Sequence, residues 1–207
     1  MNKAETWSMI HRQRAALADD LRGLSDEQWD AASLCDGWSV RDVVAHMTAS
    51  AKITVPSFLG KLISSGFSFD KLQRKDIAVE RGDSPADALA RFREQITSTS
   101  HPPGPTDSWL GEAVIHAEDI RRPLGITHDY PTEATVQVAE FYKGSNLIDG
   151  AKKRIEGLHL QATDSDFSHG EGPDVKGPTI ALVLAMTGRK AALVDLDGDG
   201  VATLESR

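Results

Sequence analysis

Apolar residues in this chain recur at helical spacing as far as Tyr142 and alternate with polar ones from Leu158 onward. One kind of layer cannot satisfy both periods. The first part is therefore read as packed helices and the last part as a small unit containing strands. Within the first part, Ser39 followed by Asp42 forms a capping box in front of Val40, Val43, Val44 and Met47, an i, i+3, i+4, i+7 stripe. Ala4 to Leu24 reads as a long opening helix that stops at Gly23. Pro56 marks a break, and residues 57 to 82 read as helical pieces interrupted at Gly66. Ser84 and Pro85 open the next helix, TSTSHPPGPTDS is a loop, and further helices run from Trp109 to Arg122 and from Thr132 to Tyr142.

In the last part, LHLQATD alternates like a strand and SHGEGPDVKGP is rich in turn residues. Pro178 opens the apolar helix TIALVLAMTGR, and AALVDL and GVATLES read as short strands. The expected organisation is a mainly α protein: a helical bundle over residues 1–150, followed by a small α+β C-terminal domain over 151–207. At 207 residues the chain is long enough to bury a substantial core.

Apolar residues at 40% and charged residues at 26% are ordinary for a folded domain. A net charge of -8 argues against a nucleic-acid surface, which needs concentrated positive charge. The single cysteine, Cys35, excludes an internal disulfide and suits a reducing compartment. The N-terminus has no apolar core of the secretory kind, and the longest apolar run, IALVLAM, is too short to span a bilayer. A cytoplasmic protein without membrane or nucleic-acid partners is expected; the oligomeric state is left open.

Chemistry is concentrated in GEAVIHAEDIRR. Glu112 and His116 are four residues apart and so differ by about 40° around a helix axis, and Asp119 stays on the same face. Such a pair can converge on one cation, as in other helical metal motifs. A third ligand has to come from another helix, and His46, at the edge of the Val40–Met47 stripe, is the candidate. Two histidines and one carboxylate with an open position suit catalytic zinc, with iron or nickel as alternatives. Asp119 could hold a ligand histidine from behind, or cap an arginine. The bland reading is a solvated Glu–His pair beside a packing histidine. His11, His101, His128, His159 and His169 lack a matching partner and read as surface or loop residues. Asp195, Asp197 and Asp199 imitate the start of a calcium loop, but Ser206 stands where the closing glutamate is needed, so a hairpin turn is expected there. Cys35 reads as a packing thiol.

The segments LCDGWSVRDVVAHM, GEAVIHAEDIRRPLG and LQATDSDFSHGEGPDVKGPTIALVLAMTGRKAAL, in that order, resemble the mycothiol-dependent maleylpyruvate isomerase family of the DinB-like metalloprotein superfamily. The resemblance spans nearly the whole chain. It implies a DinB-like four-helix bundle that holds a divalent metal, usually zinc, on His46, Glu112 and His116. It also implies a C-terminal α+β domain that covers the site and contributes an arginine, for which Arg189 is the candidate catalytic residue. The implied cofactors are Zn2+ or another divalent metal and mycothiol, an actinobacterial thiol.

Chemically, a metal-stabilised thiolate would attack an electrophilic small molecule, giving an isomerase or an S-transferase. Arg121, Arg122 and Arg189 are the available cations for an anionic substrate. Two other readings stay open: a non-enzymatic DinB-like module that binds a small ligand or a partner, and a hydrolase that uses metal-bound water with Asp119 or Glu118 as base.

Overall fold

The computed structural model describes residues 1–147 and 150–207, which form two compact units, Asn2–His128 and Asp129–Arg207 together with Met1. The first unit contains α1 (Lys3–Asp20), α2 (Asp26–Asp30), α3 (Val40–Lys52), α4 (Val55–Ser64), α5 (Phe69–Glu80), α6 (Pro85–Arg93) and α7 (Thr106–Leu124). Four of these close a ring, with α1 packed on α6 and α7, and α3 packed on the same two helices. This is the four-helix bundle expected from the resemblance. On its outside, α5 lies against α3 and α4 against α5.

Local sequence explains the helix limits. Asn2, Ser25, Ser39 and Thr54 each accept a hydrogen bond from the backbone N–H three residues on, and the residue at that position bonds back. The Val40, Val43, Val44 and Met47 stripe is fully buried against Leu17, Leu21, Phe92, Ala117 and Ile120, as its spacing predicts. Pro123 does not end α7: the helix runs to Leu124 and stops at Gly125, whose φ of 67° is the left-handed conformation that glycine adopts without strain.

The second unit contains α8 (Thr132–Gly144), α9 (Ala151–Arg154), β1 (His159–Ala162), β2 (Ser168–His169), β3 (Asp174–Gly177), α10 (Thr179–Met186) and α11 (Val201–Ser206). The strands form one sheet in the order β2-β1-β3, with β1 antiparallel to β2 and parallel to β3. Asp164 caps α10 through its carboxylate, which accepts from the Thr179 N–H at 2.8 Å. The boundary expected at 150 falls inside this unit, because α8 packs on α10. In sequence, α8 carries the same amphipathic pattern as a bundle helix, and that pattern does not say which apolar surface it will meet.

The two strand readings near the C-terminus are corrected. Lys190–Asp195 is a 3-10 helix, and GVATLES lies largely in α11. Each buries a single apolar residue, Ala192 and Leu204, which is too little to distinguish one helical turn from a short strand by periodicity. The Asp195–Gly200 stretch consequently joins two helical turns and is not a hairpin. Among the described residues no helix is long and apolar enough to cross a membrane.

Candidate metal centre

The site is built on α3 and α7, neighbours in the bundle. His46 projects from α3 and His116 from α7, their ring centroids 5.0 Å apart and their planes at 83°. Trp38 also packs against His46, its ring centroid 5.1 Å away. Glu112 sits one turn before His116, close enough for the histidine's charge to act on its carboxyl. His46, Glu112 and His116 all keep partial exposure, yet burial is the largest influence on the protonation of each.

The protonation states are polarised. Burial, reinforced by the neighbouring His116 charge, pushes the His46 imidazole down to about 3 against the pull of Asp119, so His46 is neutral with a free lone pair at neutral pH. Burial also pushes His116 down, but its hydrogen bonds to Asp119 and Cys35 and the attraction of their charges outweigh it and hold His116 up at about 10. Burial raises the Glu112 carboxyl, with Arg14, His116 and Ser50 partly opposing the rise. Its Oε2 is buried and has no hydrogen-bond partner. A buried carboxyl oxygen with no hydrogen-bond partner is a group whose burial a cation would offset.

Asp119 is completely buried and its Oδ2 lies 2.9 Å from His116 Nδ1. This fixes the proton on Nδ1 and leaves Nε2 as the nitrogen available to a ligand. The same Oδ2 accepts a hydrogen bond from Cys35 Sγ at 3.1 Å. Cys35 reaches α7 because residues 33–38 fold into a closed turn. There the Trp38 N–H donates to the Cys35 carbonyl and the Ser33 N–H to the Trp38 carbonyl, while Gly37 adopts a φ of 75°. The Leu34 N–H also donates to the Asp119 carbonyl at 3.0 Å, pinning this turn to the helix.

Cys35 is thus a site residue that sequence reasoning placed in the packing class. The nearest signal was its position just before the Gly37-Trp38 pair, eleven residues ahead of His46. Among the described residues, Cys35, His116 and Asp119 form a group whose possible ligand atoms all lie within 4.8 Å of one another. Among the described residues this is the one group at that spacing; His46 and Glu112 do not join His116 in such a group.

Other assigned residues lie elsewhere. Arg121 is buried and paired with Asp20 of α1 at 2.7 Å, and Arg122 pairs with Glu118 at 3.1 Å. Arg189 belongs to the second unit, where its Nη1 donates to the Thr187 carbonyl at 2.9 Å. Four of the five histidines read as isolated have partners. His101 stacks on Trp7 and also packs against Trp109, His11 contacts the Ser98 carbonyl, and His128 contacts Gln13. His159 bridges Asp174 at 2.7 Å and Ser168 at 3.0 Å, one residue from each strand of the sheet. All three side chains of that bridge are solvent-accessible and Lys176 engages Asp174, so the trio ties the three strands together at the sheet surface.

Residues 10–104 match the family model for the mycothiol maleylpyruvate isomerase N-terminal domain. Two solved structures share the fold over 96% of this chain and 93% of theirs: a histidine-to-alanine variant of mycothiol-dependent maleylpyruvate isomerase, at 16% identity and a TM-score of 0.65, and the same enzyme without that substitution, at 15% and 0.64. No curated protein matches the sequence. Residues 10–104, which carry the Gly37-Trp38 turn, Cys35 and His46, are thus similar to the N-terminal domain of the mycothiol maleylpyruvate isomerase family, and the chain shares that enzyme's fold.

Proposed function

We propose that the chain is a divalent-metal-dependent enzyme that activates mycothiol for attack on an electrophilic small molecule, acting as an isomerase or S-transferase. The observation that carries this reading is the buried, unpartnered Oε2 of Glu112, whose carboxyl feels the charge of His116 one turn on, with His46 packed against the His116 ring. His46, Glu112 and His116 would hold the metal, zinc in the first instance, because two imidazoles and a carboxylate are its usual catalytic ligand set. When bound, the metal would keep the thiol as a thiolate at neutral pH.

The chain's own residues prepare for this. His46 stays neutral down to about pH 3 and so needs to lose no proton before it donates a lone pair. His116 carries a proton that must leave from Nε2 when a cation arrives, so loading at neutral pH releases a proton to solvent. Asp119 retains the Nδ1 proton and keeps the ring from turning. Arg189 is proposed to bind the anionic part of the substrate.

A second reading rests on the convergence of Cys35, His116 and Asp119, which would hold a thiophilic ion with the Cys35 thiolate as ligand. Elemental analysis of the wild type and of the His46→Ala, Glu112→Ala and Cys35→Ser variants distinguishes the two. One zinc per chain, lost in the first two variants and kept in Cys35→Ser, supports the first set. Loss in Cys35→Ser with retention in Glu112→Ala supports the second. Loaded protein that neither binds mycothiol nor consumes an electrophile with it sinks the enzymatic proposal and favours a non-enzymatic binding module; metal-dependent turnover without thiol identifies a hydrolase.

A further inference from the structure

The second unit holds an open cleft between the last residue of α9, the end of α10, the 3-10 helix Lys190–Asp195 and the end of α11. Arg154, Lys190 and Arg207 stand around it, Leu193 and Leu204 supply apolar wall, and no acidic residue lines it. Three cations at one cleft stand out in a chain of net charge -8, because like charges at close range repel.

Each cation reaches the carbonyl end of a helix. Arg154 Nη1 donates to the Met186 carbonyl of α10 at 2.7 Å, and Lys190 Nζ to the Glu205 carbonyl of α11 at 2.6 Å. Arg207 Nη1 donates to the carbonyls of Arg154 and Glu156, at and just beyond the end of α9, at 2.6 and 2.9 Å. Cations are favourable there, but a helix C-terminus carries only about half a negative charge. The ends of α9 and α11 therefore leave about one of the two charges of Lys190 and Arg207 unmatched. No carboxylate makes up the difference: among the described residues neither side chain forms an ion pair. The positive charge of Arg154 adds to this excess.

Backbone geometry keeps the cleft in shape. Gly188 has a φ of 90°, and a Cβ there would stand 3.2 Å from Cζ and Nη2 of Arg154, so a side chain at 188 would press on the guanidinium. The cleft measures about 40 Å3, room for roughly three waters. Sites that enclose a drug-sized ligand run to about 300–1,000 Å3, so only a small anionic head fits. A phosphate carries nearly two charges at neutral pH and has three oxygens for donors on three sides, where a carboxylate offers one charge and two oxygens.

We propose that Arg154, Lys190 and Arg207 form a binding site for a phosphate group, either the free ion or the head of a small phosphate monoester.

Titration of the full chain with inorganic phosphate at pH 7.5, at constant ionic strength and followed by amide chemical shifts, tests this. Saturable shifts at Gly188, Lys190 and Leu204 are expected, with half-saturation on the order of 1 mM. Lys190→Gln and Arg207→Gln, both at exposed positions, are each expected to weaken binding about fivefold or more, while Lys190→Arg retains it. Should loss of the Arg207 contacts unfold the chain, the two Lys190 variants decide. Glycerol phosphate distinguishes the sources: tighter binding than inorganic phosphate identifies a monoester, and equal or weaker binding identifies the free ion. Absence of saturation up to about 50 mM overturns the proposal, as do unmoved amides at these three residues, unchanged binding by Lys190→Gln, or equal binding of acetate.

Discussion

The substitution Asp119→Asn tests the electrostatics of the site while leaving His46, Glu112 and His116 in place. In metal-stripped wild type, His116 is held up at about 10, chiefly against burial and through Asp119 and then Cys35. In the unfolded chain it titrates near 6.5. The folded value is the higher one, so the pair contributes stability that is fully present below pH 6.5 and is lost as pH rises through about 10. The gap corresponds to on the order of 5 kcal/mol. Removing one partner of a buried pair typically costs about 3–5 kcal/mol, which agrees. Asparagine keeps the shape and an acceptor oxygen but loses the charge, leaving burial as the dominant influence, so His116 should titrate below 6.5 in the variant. The assay is a carbon-edited NMR titration of the histidine ring protons after chelation, with His116→Gln used to assign the resonance, alongside urea unfolding at pH 6. A wild-type His116 that titrates near 6.5, or a value unmoved by Asp119→Asn, would falsify the assignment of Asp119 as the group that holds the proton on this ring.

Three further outcomes are expected. His46, held down at about 3, binds no proton in the folded state where the unfolded chain does, so metal-stripped protein should lose stability as pH falls from about 6.5 toward 3. In His46→Gln the acid limb of stability measured by urea unfolding between pH 6 and 4 should flatten, and an unchanged slope would contradict the neutral assignment. Phe92 is fully buried in the bundle core, so Phe92→Ala should cost about 3–5 kcal/mol in chemical denaturation, and a cost under 1 kcal/mol would mean that the α3–α6 packing is misplaced. Ser39 caps α3 and bonds reciprocally with Asp42, so Ser39→Ala should lower stability by about 1 kcal/mol, seen as a shift in the thermal midpoint with metal content unchanged.

The sequence by itself determined the elements whose signals are local. Ser39 with Asp42, and Ser84 with Pro85, mark helix starts because a cap and its helix lie within one turn. The Val40–Met47 stripe identified a buried face because 3.6-residue periodicity records which side of the helix meets apolar surface. Glu112, His116 and Asp119 were legible as one face for the same reason. The 3-10 helix at Lys190–Asp195 and the helix α11 were not legible, since one turn contains too few residues to carry a period.

Only the tertiary structure decided what depends on distant residues meeting. Nothing in the sequence around Cys35 says that it will stand 3.1 Å from Asp119, a residue 84 positions later on another helix. The placement follows from the Leu34 N–H bonding to α7. The grouping of α8 with α10 and the exposure of α4 belong to the same class. An amphipathic pattern states that an apolar face exists, while its partner, within this chain or in another, is set by three-dimensional packing.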